Sequence, residues 1–349
     1  MALIHSFRAY NTSLYQLARG KGKKGKRKTL EMSTKTFQGS KKYELDCQFL
    51  HSYLSDNVVN KQKLAEILMS RNLNEFKLIC QAYTVLYNQD LLRVLKKTQK
   101  NNLYSRAVYL RMSEPQERDA ETMRNSLYGG NVNLNTLIEV ACTRSSIELQ
   151  SIKQTYSSQY NSNIDQDVAF KVNGGFKEIL LAILKSCRNY GGKVDTSMAM
   201  CDAKTLYEAM ESGKIVDQKT MISLVSQRNT GQIKAILVSY KQLYGHEFSK
   251  SLKRSKCGQF GKELRIVIRC IQHPEKFLAK QLRLKNGDAR EILTRIIITR
   301  SNVDIKEISR SYAAKTGSSL ENFVRKEFNN SKDKASGIVA DFLVGLIKG

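Results

Sequence analysis

The chain has 349 residues, 41% of them hydrophobic, so a large core is available and the length suits two domains or one repeat array. Only two prolines interrupt its helices, and no window approaches the roughly 18 apolar residues of a membrane-spanning helix, so any membrane contact must be peripheral. A formal charge of +26 is more than solubility requires and points to an anionic partner, acidic lipid or nucleic acid.

Residues 1–42 carry eleven Lys/Arg and a single acid, Glu31. The run Gly20–Thr29 is expected to be a disordered basic tail. Nuclear-import, acidic-lipid and organellar-targeting roles stay open for it. Gly20, Gly25 and Lys26 match the start of a phosphate-loop pattern. Arg27 stands where Ser or Thr would hold magnesium, and no apolar strand precedes it, so no nucleotide site is expected. Seven cysteines without CxxC spacing, several in apolar runs, indicate buried free thiols in a reducing compartment.

From about residue 43 the chain repeats. Aligning Arg71, Arg144, Arg228 and Arg300 puts a tyrosine twelve residues later in each copy: Tyr83, Tyr156, Tyr240 and Tyr312. Four residues on come Tyr87, Tyr160, Tyr244 and, as the exception, Thr316; then Leu91, Ile164, Phe248 and Leu320. An apolar helix precedes each arginine, a Ser, Thr or Asn after it is placed to cap the next helix, and each unit closes on a strongly apolar helix. The pattern predicts an all-α fold of four units of about seventy residues. The expected boundaries are 43–118, 119–190, a linker at 191–203, 204–277 and 278–349. The four arginines are expected to anchor each unit by binding helix-end carbonyls.

This fourfold Arg–Tyr block, together with Glu139–Ser145, Pro115–Ala120, Pro274–Phe277 and Leu293–Ser301, resembles the annexin family, and most closely its plant members. The resemblance covers roughly residues 43–349. It implies four five-helix repeats in a slightly curved disc, which bind acidic phospholipid through calcium. The implied ligand set is a GxGT-like loop between the first two helices and a carboxylate about forty residues later. That chemistry suits a hard cation, with backbone carbonyls and a bidentate carboxylate as ligands. In plant members it also implies a possible redox pair, here Cys142 and Cys270.

The ligand set is degraded. Copy one reads Asp56–Val59 at the loop and Thr98 at the carboxylate position. Copy two reads Gly129–Val132 with Lys171, and copy three Gly213–Val216 with Ser255. Copy four keeps Gly287 and Glu327, with Asp333 as an alternative carboxylate after an insertion. The expectation is at most one weak calcium site. Binding to acidic membranes would then rest on Lys21, Lys23, Lys24, Lys26, Arg27 and Lys28 of the tail and on the loop lysines Lys61, Lys63, Lys214 and Lys285. The position of the histidine linked to peroxidase activity in plant annexins is Ser70, and no catalytic constellation forms around His5, His51, His246 or His273, each read as a surface residue. The expected protein is therefore non-enzymatic, cytoplasmic and peripheral at membranes. A basic helical array binding nucleic acid or F-actin is the alternative.

Overall fold

The structure, a computed structural model, describes residues 42–55, 61–99, 102–186, 192–283, 289–329 and 335–349. Each copy contributes five α-helices among these residues. In copy two they are Pro115–Tyr128, Leu134–Thr143, Ser146–Tyr160, Ile164–Lys171 and Gly174–Lys185. Copy three runs Thr196–Glu211, Gln218–Gln227, Thr230–Tyr244, Phe248–Ser251 and Gly258–Gln272. Three of the expected boundaries cut helices: 118/119 falls inside Pro115–Tyr128, 277/278 inside Pro274–Gln281, and the linker runs into Thr196–Glu211. The unit starts are better marked by Pro115 and Pro274, which open helices where a missing N–H costs nothing.

The chain divides into two compact units. One contains described residues through Met112 together with the last helix up to Phe342; the other contains Ser113 onward and Leu343–Gly349. In the first, Tyr43, Cys47, Leu50, Phe76, Ile79 and Tyr83 form part of a buried core. Arg111 donates through Nε to the Leu68 carbonyl at 3.0 Å and through Nη2 to the Arg71 carbonyl at 3.2 Å. It thereby satisfies orphan carbonyls at the end of Lys61–Ser70.

In the second unit one continuous apolar core runs through copies two and three. Two long-range polar contacts tie its helices. Glu139, fully buried, receives Arg295 on both oxygens at 2.8 and 2.9 Å, and Gln281 at 3.4 Å. Glu263 accepts the Phe176 N–H at 3.0 Å across 87 residues and so caps the Gly174–Lys185 helix. A Cβ on Gly175 would stand 2.6 Å from the Glu263 carboxylate and 2.9 Å from the Phe260 ring, so only glycine admits this cap.

The repeated positions behave as one set. Tyr83, Tyr156, Tyr240 and Tyr312 are buried, as are Leu91, Ile164, Phe248 and Leu320. The second tyrosines lean on the first, with ring centroids 4.8, 5.0 and 4.9 Å apart in the first three copies. Asn72, Ser145 and Asn229 cap the helix after the arginine, the first two with reciprocal glutamates. Copy four departs from this. Its helix starts only at Ile305, and Asp304 at its N-cap makes no cap bond because it is held by Arg300.

Candidate functional site

The repeat arginines are anchors, but their partners are carboxylates rather than the expected carbonyls. Arg71 Nε donates to Asp46 at 2.9 Å. Arg144 forks onto Asp119 at 2.6 and 3.1 Å, and Arg228 onto Asp202 at 2.7 and 3.0 Å. A planar guanidinium matches a carboxylate at two points, which a carbonyl cannot offer. In copy four Arg300 takes Asp304, one turn away, at 2.7 and 2.6 Å. In copies one to three each pair ties the end of the second helix to the first helix, whereas in copy four it ties the second helix to the start of the third.

In copy two that loop follows Tyr128 as Gly129-Gly130, with Gly130 at φ +102°. The arm expected to bring a carboxylate brings Lys171 instead, with its ammonium 4.7 Å from the Tyr128 ring centroid. Arg124 covers the same ring at 3.8 Å. Below them Asp167 accepts from Tyr156 at 2.6 Å, Tyr128 at 2.8 Å, Ser162 at 2.9 Å and Arg124 at 2.9 Å. Burial pushes the Asp167 carboxyl up, but these hydrogen bonds and the arginine hold it below its ordinary value. Three of these donors converge on Oδ2, and Oδ1 accepts from Tyr128. Phe170, beside Lys171, is 79% exposed.

Copy three makes the same substitution by another route. Its fourth helix is a single turn, Phe248–Ser251, followed by a 3-10 turn, Ser255–Cys257. This shortening lets Arg254 and Lys256 reach back to Glu211, the last residue before the loop; the lysine does so at 2.8 Å. Lys256 and then Arg254 pull the Glu211 carboxyl below its ordinary value. The loop glycine is Gly213, at φ +143°, and Lys214 and Ile215 after it are exposed. Beside the arm, Lys253, Arg254, Lys262 and Arg265 line a cleft of about 420 Å³ at the N-terminus of Gly258–Gln272. In both copies basic side chains thus stand on the arm where the resemblance implies a carboxylate. Among the described residues no three His, Cys, Asp or Glu side chains meet in a way that could hold a metal.

In copy one Thr98 donates its hydroxyl back to the Leu95 carbonyl at 3.1 Å. In copy four Glu327 is half-buried on the helix Leu320–Asn329. Gly287, Asp333, Lys285, the tail cations Lys21–Lys28 and the copy-one loop lie outside the described residues, as does the side chain of Lys61. Lys63 is exposed and pairs with Glu66 at 2.9 Å.

Cys142 and Cys270 are both buried free thiols. Burial first, and then the neighbouring Cys142, pushes the Cys270 thiol well above its ordinary value. The thiolate that redox chemistry needs is thereby disfavoured. Two histidines are less exposed than expected. His51 stacks on Tyr87 at 3.8 Å and meets the Tyr83 hydroxyl at 3.0 Å; His246 bridges the Tyr244 carbonyl and the Ser251 hydroxyl at 2.7 and 2.8 Å. The Ser251 hydroxyl that His246 meets is buried and also contacts the Tyr240 hydroxyl at 3.0 Å, so this pair is packed inside copy three. The back-reaching Arg254 and Lys256 were missed in the sequence, although the basic run Lys253-Arg254-Ser255-Lys256 flanking the expected carboxylate position was the available signal.

A family model described as Annexin matches residues 118–183 and 201–265. Annexin D2 of Arabidopsis thaliana is 34% identical over 308 residues, covering 87% of this chain and 94% of its own. Among solved structures, annexin III superposes with a TM-score of 0.76 at 24% identity, covering 87% of this chain and 93% of that one. Calcium-bound annexin (Sm)1 does so with a TM-score of 0.72 at 21% identity, covering 87% and 90%.

Proposed function

This chain belongs to the annexin family, and from that premise we propose that it is a non-enzymatic, peripheral binder of acidic phospholipid surfaces whose dependence on calcium is weakened. Phospholipid- and calcium-related membrane binding comes with the family. The weakening is our reading, and one observation carries it: Lys171 in copy two and Arg254 with Lys256 in copy three stand on the arm that would otherwise supply the calcium carboxylate.

Calcium serves such a site by placing positive charge between an acidic loop and an acidic headgroup. A fixed ammonium or guanidinium supplies that charge without the ion. Each Lys or Arg near an anionic surface contributes about 1 kcal/mol before screening. The cleft of Lys253, Arg254, Lys262 and Arg265 adds a helix N-terminus, where backbone N–H groups favour phosphate oxygens. Exposed Phe170 and Ile215 lie next to Lys171 and Lys214, an apolar–basic pairing that suits the boundary between headgroups and acyl chains. Any remaining calcium site is assigned to copy four, through Gly287 and Glu327, and is weak. Among the described residues no helix is long and apolar enough to cross a membrane.

The test is sedimentation of the full chain with phosphatidylserine vesicles in chelator, in calcium, and in rising salt. The expected result is binding in chelator that falls steeply as the Debye length shrinks below about 10 Å. Binding only after calcium is added would overturn the proposal. A chain lacking residues 1–42 separates the tail's contribution from that of the repeat loops.

A further inference from the structure

The helix Gly258–Gln272 presents a second basic cleft, at the end opposite the loop-side one. Gly258, Gln259, Lys262 and Arg265 line the first, and Ile266 and Arg269 line the second, so the two share no lining residue although they meet at adjacent positions of the helix. The second cleft encloses about 330 Å³ between copies two, three and four, all within one compact unit. That volume lies in the range of small-molecule pockets.

Its lining is strongly one-sided. Arg269, Lys276, Lys280 and Lys315 supply four permanent cations, and none of them makes an ion pair among the described residues. No carboxylate lines the cavity. The nearest acids have other commitments: Glu275 faces His273 at 3.3 Å, and Glu139 is taken by Arg295 and Gln281. Partial burial, and then Arg265, lower the Arg269 guanidinium from its ordinary value, with Glu247 opposing them. Unpaired like charges gathered in one concavity repel one another and destabilise the fold unless an anion joins them. Phe277 and Ile266 add an apolar wall, and Asn135 and Gln281 add amide groups.

We infer that this cleft binds a compact molecule carrying several clustered phosphate groups on a ring. A singly charged anion would leave most of the four cations uncompensated, whereas a polyphosphorylated ring meets them together and rests its apolar face on Phe277. The same chemistry is offered by a free inositol polyphosphate and by the headgroup of a phosphoinositide. The cleft shares no lining residue with the loop-side one, and the membrane contact proposed above does not use it.

Inositol hexakisphosphate is the probe, titrated calorimetrically into the full chain at moderate salt. Lys276→Glu with Lys280→Glu removes two contacts and is expected to weaken binding about a hundredfold. Lys253→Glu with Lys262→Glu changes the net charge by the same amount at the other cleft and is expected to change affinity only a few-fold. Equal losses in the two variants, or no loss in the first, would overturn the inference. All four lysines are exposed, and thermal melts check that each variant folds. Should the first variant melt early, Lys315→Gln replaces it with the same expectation of selective weakening. Vesicles containing phosphatidylinositol 4,5-bisphosphate identify the source. A headgroup ligand makes their sedimentation sensitive to the Lys276/Lys280 reversals and displaceable by inositol hexakisphosphate. A free ligand leaves vesicle binding unchanged while the calorimetric site is lost. Binding to phosphatidylserine vesicles, which tests the membrane reading, is expected to survive the Lys276/Lys280 reversals.

Discussion

Copies two and three carry the same repeat and meet the same problem differently. Both have a glycine at positive φ in the loop and a cation on the arm. In copy two the cation lies over an aromatic ring, and the nearby acid, Asp167, is sealed below it by four hydrogen bonds. In copy three the cations pair directly with an exposed acid, Glu211. A cation on a ring is held mainly by short-range contact, whereas an exposed ion pair is screened by salt. Copy two is thus the rigid version of the motif and copy three the adjustable one. The anchors follow the same order: the Arg144 side chain is 11% exposed and that of Arg228 is 31% exposed.

The largest expected effect lies in those anchors. Arg144→Ala leaves Asp119 buried without its partner and is expected to lower unfolding free energy by about 3–5 kcal/mol. Asp202 is buried too, but the more exposed Arg228 is what covers it, so Arg228→Ala opens the acid to water and is expected to lose about 1–2 kcal/mol. Urea unfolding of the two variants measures both, and equal losses would break the contrast.

Next comes acid stability. Asp167 has a folded-state pKa below its unfolded value, which is about 3.9. Its contribution is therefore fully present above that unfolded value and is lost as pH falls through the folded one. Asp167→Asn is expected to cost about 1–2 kcal/mol at neutral pH. The gap in melting temperature between wild type and variant should hold down to about pH 4 and close below it.

A smaller effect is a gain of calcium binding. Lys171→Glu restores a carboxylate opposite the Gly129-Gly130 loop, and calorimetry should show one new site with a Kd of about 10⁻⁴–10⁻³ M. Lys256→Glu should gain less, because Arg254 still reaches Glu211. The reverse order would show that the copy-three loop is the better preserved. Smallest is Lys171→Ala, which forfeits its cation–π contacts to Tyr128 and Phe170, together worth about 1 kcal/mol. That loss should not change between low and high salt in thermal melts.

Much of this architecture is legible in the chain. Spacings of twelve, four and four residues put Tyr156, Tyr160 and Ile164 against one core, and their counterparts follow except Thr316 of copy four, which is exposed. The residues after Arg71, Arg144 and Arg228 announce their helix caps. Copy four departs in geometry, because Asp304 gives Arg300 a partner one turn away and the next helix starts late. Thr98, Lys171 and Ser255 at the positions where the resemblance implies a carboxylate are likewise read from the chain.

The long-range polar partners were not legible. Arg254 and Lys256 find Glu211 across more than forty residues, Arg295 finds Glu139 across 156, and Glu263 caps a helix 87 residues away. Helices and their buried faces follow from local periodicity, since apolar spacing acts over a turn or two of chain. The partner of a long charged side chain depends instead on which helix ends the packing brings within a few ångströms. By itself the sequence determined the repeat, its helices and its core. Only the tertiary structure decided which charges meet, which are sealed, and that four cations at the far end of Gly258–Gln272 are left facing one cavity.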